Sequence, residues 1–221
     1  NIQKKEKYYS ELTFHYWFWK NKLKSYRNSD WIGFCQKRRF WLKSPSKIRN
    51  LQDLKKKIIT KPKKKWIKYE SIICKPIRVD NPKRMKLIKR GWRNIIKNPV
   101  ILFNRKKHNI LLHFDMFHGY GNLNKAIDVL NDEDREDFRN YVNVNSIFNP
   151  HIMFISKHKV LDKWFKSLFP WLERCEKVFG FNDLLGYDKT RLYAYLAERY
   201  LSFWFKKYTK YLEQPWITIK T

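Results

Sequence analysis

Asn28-Ser29-Asp30-Trp31-Ile32-Gly33-Phe34-Cys35-Gln36-Lys37-Arg38-Arg39 holds a turn, a short apolar run and a basic stop within twelve residues. Asn, Ser and Asp carry side-chain acceptors that stabilise turns, so the chain reverses at 28–30. Trp31 to Cys35 is too short for a helix and is bounded by turn and charge, which reads as a buried strand. Arg38 and Arg39 follow at once. In α/β folds ligands bind at the carboxyl ends of strands, and a planar guanidinium grips a diphosphate with two parallel hydrogen bonds. Two solvated arginines in a basic region are the plain alternative.

Outward from this strand the chain alternates. Upstream, Ser10 is an expected N-cap for a helix through Asn21, with Glu11 in its first turn and Phe14, Trp17 and Phe18 forming the core face. Downstream, Ser71-Ile72-Ile73-Cys74 is a second strand, with Val100–Phe103 and Ile110–Leu112 as two more. Ser44 to Lys68 turns to Lys with Pro45 and Pro62, and residues 44–110 as a whole read as a basic, less regular excursion. Leu123, Ala126, Ile127 and Leu130 make a helical stripe, and Asp132 is placed to cap the helix that follows. His151–Ile155 reads as a strand after Asn149-Pro150, and Leu161 to Leu172 as a helix interrupted at Pro170. Asp188 or Thr190 is the expected cap of a last long helix carrying Leu192, Tyr195, Leu196, Phe203 and Trp204. Strands interleaved with helices predict an α/β fold, and 221 residues with 43% hydrophobic content predict one domain around one core.

Composition narrows the class further. No run of eighteen apolar residues occurs and the first residues lack a signal-like apolar stretch, so a cytoplasmic chain is expected. Cys35, Cys74 and Cys175 have no paired spacing, which argues against a disulfide framework or a zinc site. Of a net charge of +29, residues 1–110 carry +27, from 33 Lys and Arg against 6 Asp and Glu. Such a half attracts nucleic acid, anionic lipid headgroups or phosphorylated small molecules; a Lys bias over solvated surfaces is the bland alternative.

With six glycines in all, no phosphate-binding glycine loop is present, and neither a G-x-S-x-G elbow nor a His-Glu-x-x-His helix occurs. His113-Phe114-Asp115 and His118-Gly119-Tyr120-Gly121 bring two imidazoles and a carboxylate close in sequence. They could serve a general base, a substrate contact or a partial metal site, but no third firm ligand stands at metal spacing, so a structural or capping role comes before a metal role. Glu198-Arg199 sits between Ala197 and Tyr200 in an apolar helix, a setting that can turn a charged pair inward. Buried charge is costly unless paired or used, so the pair is an ordinary exposed helix position, an internal ion pair, or a carboxylate that deprotonates an acceptor hydroxyl or positions a sugar.

Three segments together resemble the bacterial domain-of-unknown-function family 4422, found among capsular-polysaccharide and lipopolysaccharide glycosyltransferases. Tyr8-Tyr9-Ser10-Glu11-Leu12-Thr13-Phe14-His15-Tyr16-Trp17-Phe18-Trp19-Lys20-Asn21 is like the family's S-E-L-T-x-x-Y-W-x-W-K-N, and Trp31 to Phe40 is similar to its G-x-C-H-Y-R-R-Y/F. Asn149-Pro150-His151-Ile152-Met153-Phe154-Ile155, then Leu196-Ala197-Glu198-Arg199-Tyr200-Leu201, resemble its N-M-F-I and L-A-E-R-x-L. Gln36-Lys37 stands where the family often has His, and the resemblance begins abruptly at Asn1, without an upstream strand region, as a truncated chain would.

The resemblance implies a GT-A-like α/β domain, a mixed sheet flanked by helices, that moves a sugar from a nucleotide-diphospho-sugar to a saccharide or lipid-linked saccharide. It implies Arg38 and Arg39 on the diphosphate, with Mn or Mg as a cofactor to be tested, and Glu198, then Asp115, as the base. Glu11, His118, Asn149 and Arg199 become candidate substrate contacts. No Asp-x-Asp metal motif is available, because Asp132-Glu133-Asp134 reads as an exposed helix start. The cationic half would dock at the anionic inner face of the cell membrane. The alternatives are an inactive relative and a basic nucleic-acid-binding module; no named nucleic-acid motif supports the latter, so no specific nucleic acid is expected.

Overall fold

The computed structural model describes residues 2–80 and 108–219. In chain order the first stretch runs α1 (Glu6–Tyr9), α2 (Leu12–Asn21), β1 (Trp31–Phe34), β2 (Arg39–Trp41), α3 (Leu51–Lys57), β3 (Ser71–Cys74) and β4 (Ile77–Arg78). The second runs α4 (Ile110–His118), α5 (Asn122–Asp128), α6 (Asp132–Val144), β5 (Ile147–Phe148) and β6 (Phe154–Lys157). It ends with α7 (His158–Phe179), α8 (Tyr187–Thr190), α9 (Leu192–Tyr208), β7 (Tyr211–Gln214) and β8 (Trp216–Thr218).

A mixed sheet of order β1-β6-β3-β7 lies at the centre, β3 and β7 parallel and the other neighbours antiparallel. All four residues of β3 are buried, which explains why Ser-Ile-Ile-Cys does not alternate: a strand covered on both faces needs no polar side. β2 pairs with β8 and β4 with β5 in two small antiparallel ladders. Helices α7 and α9 supply the largest shares of the core, with Trp164, Phe165, Leu168, Leu196, Tyr200 and Phe205 among the fully buried side chains. Layers of this kind are the α/β architecture expected from the alternating pattern.

Several local expectations are corrected. Ile110–Leu112 is the first turn of helix α4, because Asn109 caps it, its side chain accepting from the Leu112 N–H at 2.8 Å, and Ile110 and Phe114 bury one turn apart. The α7 helix runs through Pro170 without a break: the missing hydrogen bond costs about 3 kcal/mol, while burial of each large side chain on either side, such as Phe165 or Leu172, contributes about 2 kcal/mol. Ser10 is not the cap of α2; Glu11 holds that position without a side-chain cap bond, and Ser10 ends α1 in a left-handed conformation. The core face of α2 is Leu12, His15 and Phe18, whereas Phe14 and Trp17 are about half exposed.

The α6 helix begins from Asn131, with Asp132 inside its first turn, and α9 from Arg191, neither with a side-chain cap. Asp134 is not on an exposed helix start: it is buried and accepts from the Tyr200 and Tyr208 hydroxyls, both at 2.6 Å, and from Lys207 at 2.9 Å. The 44–68 stretch is more than a surface feature, since it delivers the buried Trp66. Val100–Phe103 lies outside the described residues. Cys35, Cys74 and Cys175 are free thiols.

Candidate active site

Four chain segments meet at one cleft. Ser10 and Glu11 enter from the α1–α2 junction, Gln36 and Arg39 from the β1–β2 turn, His151 and Ile152 from the β5–β6 loop. Ala194, Tyr195 and Glu198 come from α9, and Arg191 is the residue that caps it. Steps of three and four residues place these members on one helix face, so a single helix with its cap presents a cation, a phenol and a carboxylate in a row. Ser10, Arg38 and His151, the non-glycine residues with positive φ among those described, all lie in this cleft or beside it. L-residues are held in that region only where the surroundings over-determine the backbone, and such positions gather at functional sites.

Glu198 is the most tightly held group in the cleft. Its Oε1 accepts the His151 backbone N–H at 2.5 Å and lies 3.7 Å from the His151 Nδ1, while Oε2 pairs with the guanidinium of Arg199. Arg199 is buried: its guanidinium stacks 3.8 Å from the Phe148 ring centre, and a second nitrogen lies 3.3 Å from the His113 Nδ1. Burial depresses the Arg199 pKa and the Glu198 charge opposes that depression. Burial, reinforced by Arg199, also drives His113 well below the usual histidine range, leaving its ring neutral and able to accept.

His151 completes the arrangement. Its ring stands edge to face on Trp216 at 4.3 Å, and burial lowers its pKa to about 4 even though Glu198 pulls it upward. A neutral imidazole therefore faces the cleft near neutral pH. The His151 Nε2, Arg39 Nε and Arg199 Nε are buried without a hydrogen-bond partner in the protein, and buried polar atoms of this kind call for a ligand or water. The Arg39 guanidinium is braced by the Gln36 side-chain oxygen.

Of the residues singled out in the sequence, Glu11, Arg39 and Glu198 are brought together here, with Arg199 directly behind Glu198. Arg38 is exposed on the adjoining turn. His118 is buried behind the cleft, its ring stacked on Tyr195 at 3.8 Å and its Nδ1 2.9 Å from the Asp188 carbonyl oxygen. Asp115 lies outside the cleft lining and accepts from the Gly121 N–H at 3.1 Å, with burial raising its pKa to about 6. Asn149 is used by the fold: its amide donates to the Cys74 carbonyl at 2.6 Å and to Glu213 at 3.0 Å, and its oxygen accepts from Ser202 at 2.7 Å.

His151, Arg191, Gln36 and Tyr195 also line the cleft, although no site role is read for them from the sequence. Gln36 had a signal in standing where the family pattern has His, His151 in lying within a family motif, and Tyr195 in its step from Glu198. A second cleft, between α6, α7 and the end of α9, holds Lys163, Lys166 and Arg174 with two carboxylates: Asp134 is bound by two tyrosines and a lysine, and Glu133 accepts from the Tyr208 hydroxyl at 3.0 Å. Among the described residues no three His, Cys, Asp or Glu side chains gather as a metal site. Nor is any described helix long and apolar enough to cross a membrane.

The chain superposes over its whole length on part of a solved structure described as the apo form of WbbM, a bifunctional glycosyltransferase, with a TM-score of 0.70 at 16% identity. It spans 38% of that chain, so the likeness is one of fold. No curated protein matches it. The family model described as domain of unknown function DUF4422 matches residues 1–210. The chain belongs to the DUF4422 family.

Proposed function

We propose that this cleft transfers a sugar from a nucleotide-diphospho-sugar to a saccharide hydroxyl. The observation that carries the reading is the meeting of two carboxylates, Glu11 and Glu198, with two guanidinium groups, Arg39 and Arg191, in one cleft. In an inverting transfer the acceptor oxygen attacks the anomeric carbon, the bond from that carbon to the diphosphate oxygen breaks, and the nucleoside diphosphate leaves. Glu198 takes the hydroxyl proton, and Arg39 with Arg191 balance the charge that grows on the leaving group. Fixed between the His151 N–H and Arg199, the Glu198 carboxylate needs no reorganisation when the acceptor arrives. Neutral His151 and Glu11 contact sugar hydroxyls.

The described residues supply no set of three metal ligands, so no step is routed through Mn or Mg, and the cation enters as an arm of the test. The glycosyltransferase-like fold supports this chemistry over a nucleic-acid-binding role. Saccharide or lipid-linked saccharide acceptors of capsule or lipopolysaccharide assembly, at the cytoplasmic face of the cell membrane, are the setting that fits.

The test is thermal stabilisation by a panel of nucleotide-diphospho-sugars, with and without manganese, of the wild type and Arg39→Ala. A ligand that binds only the folded state raises its melting temperature. A shift selective for one donor class, lost in Arg39→Ala, is expected. Silence across the panel refutes the reading.

A further inference from the structure

Lys and Arg crowd the stretch from 43 to 68: eleven of its residues are basic and one, Asp53, is acidic. Asp53 is already paired with Lys57 at 2.8 Å. The cations are close enough to repel one another. Lys63 is held below the ordinary lysine range by partial burial and by the charges of Lys65 and Lys43. Lysines here turn to backbone oxygens for want of carboxylates: Lys63 donates to the Lys43 carbonyl and Lys43 to that of Lys56, each at 2.6 Å. A folded surface that tolerates such repulsion is stabilised by an anionic partner.

Apolar groups stand among these charges. A 3-10 turn, Lys64–Lys68, carries Ile67 at 83% exposure between Lys65 and Lys68, and Leu51 at the start of α3 is 71% exposed. Beside the turn opens a groove lined by Trp31, Trp41, Trp66, Ile59, Pro62 and Ile155. Gly33 keeps it open, since a Cβ there would stand 3.1 Å from the Ile155 side chain. The indole N–H groups of Trp41 and Trp66 are buried without an acceptor. Trp41 and Trp66 are themselves buried and form the floor of the groove, whereas the exposed aliphatic tips of Ile67 and Leu51 amid a field of lysines are the features by which proteins bind the interface of an anionic bilayer. The most exposed apolar groups here, Ile67 and Leu51, are aliphatic and the rings of Trp41 and Trp66 are buried, so a nucleobase finds little to stack on, which favours lipid over nucleic acid.

We propose that the 43–68 face, with Ile67 at its tip and the Trp31–Trp41–Trp66 groove beside it, docks this chain on an anionic bilayer. The β2 strand joins the two surfaces, with Arg39 lining the catalytic cleft and Trp41 lining the groove. Docking therefore holds the cleft beside the lipid surface, where a lipid-linked saccharide would present its hydroxyl. The assignment of the face stands on charge and exposure and does not depend on the transfer chemistry.

The test is co-sedimentation at low salt with vesicles of phosphatidylcholine, with and without phosphatidylglycerol. The wild type pellets with the mixed vesicles only, and added salt releases it. Replacing Lys64, Lys65 and Lys68 by Glu weakens binding by about a hundred-fold or more, because each lysine near such a surface contributes about five-fold. Ile67→Asp weakens it several-fold, while Glu at the exposed, distant Lys125, Lys163 and Lys177 changes net charge equally and leaves binding intact. Equal loss in that control overturns the proposal, as does Ile67→Asp binding like the wild type. Tight binding of an oligonucleotide that depends on Lys64, Lys65 and Lys68, without vesicle binding, assigns the face to nucleic acid instead. Sugar transfer is not read in this assay, so its outcome and that of the donor screen are separable.

Discussion

The Oε1 of Glu198 accepts the backbone N–H of His151 at 2.5 Å, from a residue whose φ of 69° is left-handed. A non-glycine residue in that conformation costs about 1 kcal/mol, and the fold supplies the restraint two residues earlier. Asn149 is bound to the Cys74 carbonyl on β3 and to Ser202 on α9, so the loop is tied to sheet and helix before it reaches the carboxylate. The Glu198 carboxylate on α9 is thereby fixed from both sides, by a loop N–H in front and by Arg199 behind.

Glu198→Gln removes the counter-charge of a guanidinium that is only 2% exposed, and an unpaired buried charge costs about 3–5 kcal/mol. Urea denaturation should show a loss of that size. Adding Arg199→Leu to the same chain should restore most of it, since an apolar replacement of a buried pair is close to neutral. Transfer activity should stay about a hundred-fold or more below wild type in the double variant, which separates the carboxylate's chemistry from its part in folding.

At His151, glycine and alanine should part company. Both delete the imidazole, yet glycine takes the left-handed conformation without strain, so His151→Gly should exceed His151→Ala in stability by about 1 kcal/mol. Paired urea melts read the difference. Equal stability would mean the loop relaxes and the N–H to Glu198 is not held.

His15 is buried against Phe34 at 4.2 Å, and burial lowers its pKa to about 3. Its folded pKa lies below the unfolded value of about 6.5. Between about pH 6.5 and 3 the unfolded chain therefore binds a proton that the folded chain refuses, and stability falls as pH falls. Above that window the ring is neutral in both states and contributes no pH dependence. His15→Leu should remove about 1.4 kcal/mol per pH unit of this acid sensitivity, read as stability at pH 7.5 against pH 5. His151, lowered to about 4, keeps its own share of the loss.

What could be read in the sequence was what depends on neighbours in the chain. The β1 run Trp31–Phe34, the β3 run Ser71–Cys74 and the α9 stripe are periodic or bounded locally, and each formed as expected. Glu198-Arg199 stood out because a charged pair in an apolar helix must be explained by burial. His151 did not: after Asn149-Pro150 it reads as the first residue of a strand, and its left-handed turn arises from bonds between Asn149 and residues more than fifty positions away. Nothing near Arg191 in the chain marks it, and only the arrival of the β1–β2 turn and the α1–α2 junction makes it part of a cleft. Ile110–Leu112 misled because a short apolar run suits either element, and the cap at Asn109 decides it.

Arg38 and Arg39 are adjacent in sequence and differ in placement. Arg39 lines the cleft, whereas Arg38 is exposed on the turn. Arg39→Ala should weaken donor binding by about ten-fold or more, the worth of a charge-assisted hydrogen bond, and Arg38→Ala by about two-fold at most. Calorimetric titration with the donor selected in the stabilisation screen measures both.

The most direct measurement is release of nucleoside diphosphate from that donor in the presence of lipid-linked saccharides, compared between the wild type and Glu198→Gln/Arg199→Leu. The account predicts steady release by the wild type, and release about a hundred-fold slower by the double variant at unchanged donor affinity. Release at the wild-type rate without the Glu198 carboxylate would contradict it.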